Sequence, residues 1–407
     1  MKIIFFDYWL KGVNNFIRIA PIIKELEPES ELKMIHTSSW QEKTQDLIID
    51  HGFFKSYDID YFHKNTLYSL LKKEKPDIII TLNNYFLIDK AINIFCRNLG
   101  IKIVYLSHGR LGSKNLSFSL PSSKRSIKKI PKINKMNWNM LLNYFYATVM
   151  EGKPMRFFKA VFYLAFKPMK VLTHSVYNEE LKTDINLVYY KSCRDVLIEE
   201  RGFPKEEIKI VGNPELDDFV LSPSMNSDDF FYKTNYAPNS YVLYMEDGTI
   251  QSEILTTEEW KKHISELNSI LKAQNLKLII KFHPRTDIKK LKKFIDHEEI
   301  AVITSNNDIK NWILYSKAII SLYSTTITFA LYLRKTVFSP RWGVTKNIGF
   351  NYPESDIQYI HSASDFAKAL SKADYGLNES SFYRENKETF DGKVLYRIAK
   401  EIFRTVK

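Results

Sequence analysis

The sequence predicts an α/β protein built from two Rossmann-like domains, and three observations carry that prediction. Short apolar, β-branched runs alternate with helical stretches along the first half of the chain. The alternation stops in a Pro-, Ser- and Asn-bearing stretch without period, LSPSMNSDDFFYKTNYAPNS at residues 221–240, and then restarts. The length of 407 residues is too long for one ordinary domain and suits two. Apolar strands alternating with helices indicate a parallel sheet covered on both faces. Such sheets bind ligands at the carboxyl ends of their strands, so two of them facing each other define a central cleft.

In the first half, strands are expected at Lys2–Trp9, Leu32–Thr37, Asp77–Leu82, Lys102–Ser107, Val171–His174 and Lys209–Val211. Helices are expected at Asn14–Leu26, Gln41–His51, Asn65–Glu74, Tyr85–Leu99 and Glu179–Arg201. After the 221–240 stretch, read as an interdomain linker, strands follow at Tyr241–Met245, Lys277–Phe282, Ala301–Thr304, Ala318–Leu322 and Thr336–Ser339. A helix over Thr257–Lys272 separates the first two. The domain limits are 1–222, with a basic and aromatic insertion at about 110–170, then 239–385, then a closing helix at 386–407.

Apolar residues make up 44% of the chain, enough for full cores. The N-terminus enters an apolar strand without the charged start and small-residue cleavage site of a signal peptide. No apolar run has the length of a membrane span. Cys96 and Cys193 are far apart and imply neither a disulfide framework nor a metal site. These features together predict a cytoplasmic protein. The net charge of +12 favours an anionic partner. From Arg110 to Met150 there are eight basic residues and no acidic one, either a solvated loop or an anion-binding segment that includes Arg110 and Lys114. No nucleic-acid-binding module is recognisable, so a basic nucleic-acid-binding protein is the less favoured class. Met136–Lys170 is aromatic, apolar and basic, and ends in RFFKAVFYLAFKPMK. It reads as an amphipathic helix on an anionic membrane surface, or as a helix packed on the first domain or in an oligomer interface.

Four segments carry chemistry. The strand LIIKF runs directly into His283-Pro284-Arg285, and Pro284 ends ladder bonding there. That puts His283 and Arg285 at the sheet edge, where both donate well to phosphate oxygens. A second strand turns through Tyr323-Ser324-Thr325-Thr326 into an apolar helix. Hydroxyls and free N–H groups at a helix start hold an anion; plain capping uses the same residue types. The third segment, YMEDGT, places Glu246 and Asp247 on a turn made by Gly248, as a general base or as an ordinary acidic turn. The fourth, YLSHGRLGSKN, ends a first-domain strand in His108-Gly109, with Gly112 nearby. His108 is the competing base.

In order, these motifs resemble two branches of bacterial surface-polysaccharide transferases of GT-B fold. His108-Gly109, Gly212-Asn213-Pro214, Asp217, His283-Pro284-Arg285 and Ser324-Thr325 resemble the teichoic acid glycerophosphotransferases. Glu246-Asp247-Gly248, His283-Pro284 and Ser324-Thr325-Thr326 resemble the sialyltransferases and polysialyltransferases. The resemblance implies a cytidine-linked donor as substrate (CMP-sialic acid, a related nonulosonate or Kdo, or a CDP-polyol), a glycan or glycolipid acceptor and no resident cofactor. It implies that the sialyltransferase-type enzymes take the acceptor proton on an acid, and the teichoic acid type on the His of His-Gly. Asp391-Gly392-Lys393 before an amphipathic helix matches the GT-B habit of a last helix returning to the first domain. No DxD-type metal motif stands in a fitting context, and the expected leaving-phosphate grip is His283, Arg285 and the helix start. The expected function is transfer from a CMP-linked donor in capsule or lipooligosaccharide synthesis. The alternatives are a CDP-polyol phosphotransferase and a UDP-sugar transferase or 2-epimerase.

Overall fold

The computed structural model describes residues 1–41, 46–63, 66–109, 111, 135–166, 178–252, 254–283, 286–303, 308–324, 326–344, 352–372 and 379–406, the last three of 135–166 by backbone alone. They form two compact units. One draws on Met1–Lys114, Ser126–Pro214 and Lys393–Lys407, the other on Glu215–Gly392.

The first unit is built on eight strands: β1 (Lys2–Asp7), β2 (Glu31–His36), β3 (Ile48–Asp50), β4 (Lys55–Asp58), β5 (Ile78–Thr81), β6 (Lys102–Leu106), β7 (Ile185–Val188) and β8 (Ile208–Ile210). Their order is β3-β4-β2-β1-β5-β6-β7-β8, and every pairing is parallel except β3 with β4. The chain first builds outward from β1 to β2, then returns to lay β5 on the other side. Strand order therefore reverses between β1 and β5, and the loops there open a crevice at the strand ends. β1 is covered on both faces, with Ile3, Ile4 and Phe5 fully buried, which is why KIIFF reads as a continuous apolar run. The closing helix Val394–Val406 belongs to this unit, as the GT-B resemblance implied. Its Ile398, Ala399 and Ile402 are fully buried, Tyr396 bonds the Glu25 carboxylate at 2.7 Å and Arg397 donates to the Val211 carbonyl at 2.8 Å.

The second unit carries β9 (Tyr241–Met245), β10 (Lys277–Lys281), β11 (Ala301–Ile303), β12 (Ala318–Ile320), β13 (Val337–Pro340) and β14 (Gln358–Ile360). All pair in parallel in the order β11-β10-β9-β12-β13-β14. Here the reversal lies between β9 and β12. The helix Thr257–Lys272 shows how sequence builds the covering layer. Thr256 and Glu259 form a capping box, a start signal worth about 1 kcal/mol. Trp260, Ile264, Leu267 and Leu271 then recur on one face, all fully buried against the sheet.

Several elements differ from expectation. Ile48–Asp50, inside the expected helix Gln41–His51, pairs antiparallel with β4 as an edge strand; pairing overrides a local helical preference. β7 interrupts the expected helix Glu179–Arg201. Its four residues INLV are all buried between β6 and β8, and so short a run has no period to separate strand from helix. The expected strand Val171–His174 lies outside the described residues. The 221–240 stretch contains a helix, Ser227–Thr234, capped by Asn226. Its Phe230 is buried against Tyr241, Trp312 and Tyr315. It is part of the second unit, and the division falls between Pro214 and Glu215. The 136–170 segment forms two helices, Lys135–Met150 and Met155–Phe166. The first buries Asn143, Tyr144 and Ala147 against the first unit.

Candidate active site

Sheet topology brings three loops of the second unit together: those after β9, β10 and β12. The loop after β9 holds Glu246, Asp247 and Gly248, and both acids are buried. Glu246 accepts four hydrogen bonds: from the Thr249 amide at 2.9 Å, the Thr249 hydroxyl at 3.2 Å, the His283 amide at 3.3 Å and the Thr286 hydroxyl at 3.0 Å. It ties the β9 loop to the β10 loop. Asp247 does the same towards β12. It accepts from the Ser321 hydroxyl at 2.9 Å and from the amides of Leu322 at 2.7 Å and Tyr323 at 3.2 Å. The Tyr323 hydroxyl donates back to the Asp247 carbonyl at 2.9 Å. Burial pushes the Asp247 carboxyl up to about 7; the amides and Ser321 pull it down, and the Glu246 charge adds to the rise. A proton on that carboxyl has a ready acceptor in the Ser321 oxygen.

Gly248 turns the chain at φ 71°. A Cβ there would stand 3.4 Å from the His283 ring, so the glycine supplies both the turn and the room for the imidazole. His283 is partly exposed at the end of β10, held by its amide on Glu246 and by its carbonyl, which accepts the Thr286 amide at 2.9 Å. Pro284, Arg285 and Thr325 lie outside the described residues. The Ser324 hydroxyl accepts from the Thr326 amide at 3.2 Å and its hydroxyl at 2.8 Å. The helix that follows, Ile327–Tyr332, has only six residues. Ser324 and Thr326 therefore brace one another in a tight turn at the edge of the site.

One basic group here escaped the sequence reading. Arg341 follows β13 directly, donates to the Leu322 carbonyl at 3.0 Å and lies over the Tyr359 ring at 4.9 Å. It is close enough to Asp247 for the two charges to interact. The signal was present in the sequence: Pro340-Arg341 follows the strand run TVFS as His283-Pro284-Arg285 follows LIIKF.

In the first unit the reversal point holds a cavity of about 390 Å³, lined among others by Asp7, Trp9, Gly12, Asn83, Tyr85 and His108. His108 follows β6 and lines that cavity. Its Nδ1 is 2.8 Å from the Leu82 carbonyl. A carbonyl only accepts, so Nδ1 carries the proton and Nε2 keeps its lone pair. The surrounding protein holds the imidazole below the ordinary histidine pKa through desolvation, against the opposing pull of that carbonyl. Gly109 follows at φ 92°; Arg110 and Lys114 lie outside the described residues.

Asp7, at the end of β1, also went unread in the sequence. Its carboxylate accepts from the Tyr8 amide at 2.8 Å and from Asn83 at 3.2 Å. Burial pushes it up to about 6. Its Oδ2 lies 2.0 Å from where a Cβ on Gly12 would be, so only glycine fits there. Asp89, also pushed up to about 6 by burial, is taken up by the Tyr8 hydroxyl and by the Tyr85 and Phe86 amides at 2.9 and 2.8 Å. That is a helix-capping role.

No family model and no curated protein matches the sequence. Solved structures do. A UDP-GlcNAc 2-epimerase from Methanocaldococcus jannaschii matches with a TM-score of 0.52 at 15% identity, covering 99% of this chain and 100% of that one. A putative UDP-N-acetylglucosamine 2-epimerase from Listeria monocytogenes gives 0.55 at 13% identity, over 98% and 95%. The wall teichoic acid polymerase TagF, in a histidine variant soaked with CDPG, gives 0.53 at 12% identity, over 100% and 88%. The chain therefore has the two-domain GT-B fold that these proteins share, as the sequence predicted.

Proposed function

We propose that the chain is a GT-B transferase of surface-polysaccharide synthesis, moving a phosphopolyol from a CDP-polyol to an acceptor hydroxyl on a glycan or glycolipid. One observation favours this over the CMP-sialic acid reading. A sialyltransferase-type reaction needs an acid free to take the acceptor proton, and both acids of Glu246-Asp247-Gly248 are consumed in holding loops together. His108 has the geometry of a base: a fixed tautomer and an unshared pair on Nε2. The folds of a teichoic acid polymerase and of UDP-GlcNAc epimerases, matched over nearly the whole chain, support a nucleotide-linked substrate.

In this reading the acceptor hydroxyl attacks the polyol-bearing phosphorus as His108 Nε2 takes its proton. The acceptor O–P bond forms, the bond to CMP breaks, and CMP leaves with the electron pair. His283 and the Ser324–Thr326 turn hold the nucleotide phosphate, Arg285 and Arg341 supply positive charge to it, and no resident cofactor is needed. Arg110 and Lys114 attract the anionic acceptor.

The test is a thermal-shift series with CMP, CDP and UDP, since a ligand of the native state raises its melting temperature. Cytidine nucleotides should raise it, and His283→Ala should cut that rise without moving the melting temperature of the free protein. A shift with UDP alone would replace this reading with a UDP-sugar enzyme of the epimerase or transferase kind.

A further inference from the structure

One segment of the chain holds both its excess charge and its densest run of uncovered apolar side chains. Of 59 Lys and Arg residues, 13 lie between Arg110 and Lys170, against one of the 47 Asp and Glu residues. The remainder carries 46 of each sign, so the whole net charge of +12 resides in this stretch. Among the described residues, nine of the nineteen large apolar side chains that stand exposed fall between Trp138 and Phe162.

Their arrangement is ordered. Trp138, Leu142, Phe145 and Val149 recur at spacings of four, three and four, on one face of the helix Lys135–Met150. Another face of that helix is already used, with Tyr144 and Ala147 buried in the first unit's core. On the next helix Phe158 and Phe162 are 55% and 59% exposed. The rings connect the two helices: Phe145 meets Phe157 at 5.0 Å, and Phe157 meets Phe158 at 5.6 Å. Neither helix contains an acidic residue, and Lys159, next to Phe158 in the chain, is exposed. Among the described residues no helix is long and apolar enough to cross a membrane.

We propose that this face lies on an anionic lipid surface. Its aromatic rings enter the boundary between headgroups and acyl chains, and the basic excess draws the segment to anionic headgroups. The charge argues against a second copy of the chain as occupant, because that would bring two strongly basic segments together. An acidic glycan would use the charge and leave the rings exposed to water. The proposal does not rest on the choice of nucleotide, and its test contains none.

The test is flotation of the full chain with vesicles of equal parts phosphatidylglycerol and phosphatidylcholine, and with phosphatidylcholine alone. The chain should float with the anionic vesicles at least about tenfold better, and added salt should weaken the binding. Phe158→Ser with Phe162→Ser, and separately Trp138→Ser with Phe145→Ser, should each lower binding by about tenfold while keeping the melting temperature. If one pair fails to fold, the other pair and the salt series still decide. Undiminished binding in a folded pair would overturn the proposal. So would equal binding to neutral vesicles, or a dimer in light scattering that the serine pairs dissociate.

Discussion

His108→Ala is expected to lower transfer turnover by about 10²–10⁴-fold, the range a positioned general base supplies. The melting temperature and the cytidine-nucleotide shift should stay close to those of the unaltered protein, because His108 lines a cavity and its one described bond is to a loop carbonyl. The pH profile of kcat/KM gives a second reading of the same residue. The imidazole must be neutral to accept a proton, and its pKa is held below the ordinary 6.5. Activity should therefore persist through neutral pH and fall only as the pH drops below that value. A profile that falls on the acid side near or above 6.5 would contradict the assignment.

The second large effect is expected at Asp247, where two substitutions should part company. Asp247→Ala removes the acceptor of the buried Ser321 hydroxyl and Leu322 amide, and one acceptor of the Tyr323 amide. That should cost about 2–5 kcal/mol and disorder the loop after β12. Asp247→Asn keeps an oxygen for the amides and a donor for Ser321, as the protonated acid does, so fold and most activity should survive. The folded carboxyl titrates at about 7 against 3.8 unfolded. Below 3.8 its contribution to stability is fully present, and it is lost as the pH rises through about 7. Chemical denaturation across that window should show a fall in stability that Asp247→Asn lacks. A fully folded Asp247→Asn variant with activity down more than about a hundredfold would return the base role to Asp247.

These two residues show how far the sequence could be read. The parallel α/β frame was legible because its central strands are apolar runs that end at identifiable residues: Lys277–Phe282 before His283-Pro284, and Tyr241–Met245 before Glu246. The strands that escaped, β3, β4, β7 and β14, have three or four residues each, too few to carry a period. The loops of the candidate site were located by the same strand-end logic, but the roles within them were not legible. Glu246-Asp247-Gly248 reads as a base or as an acidic turn. Only the strand order β10-β9-β12 shows what the two acids hold together: each reaches sideways to a loop distant in sequence. Asp7 and Arg341 went unnoticed for the opposite reason. Each is a lone charged residue at or just after a strand's end; Asp7 has no recognisable motif around it, and Pro340-Arg341 lacks the histidine that marks His283-Pro284-Arg285.

The most direct test of the central claim is release of CMP from CDP-glycerol, measured with and without a polyol- or glycan-bearing acceptor, in the unaltered chain and in His108→Ala. The account predicts acceptor-dependent release that His108→Ala removes while cytidine-nucleotide binding remains. Acceptor-dependent release from CMP-sialic acid and none from CDP-glycerol would contradict it, as would acceptor-independent turnover of UDP-GlcNAc.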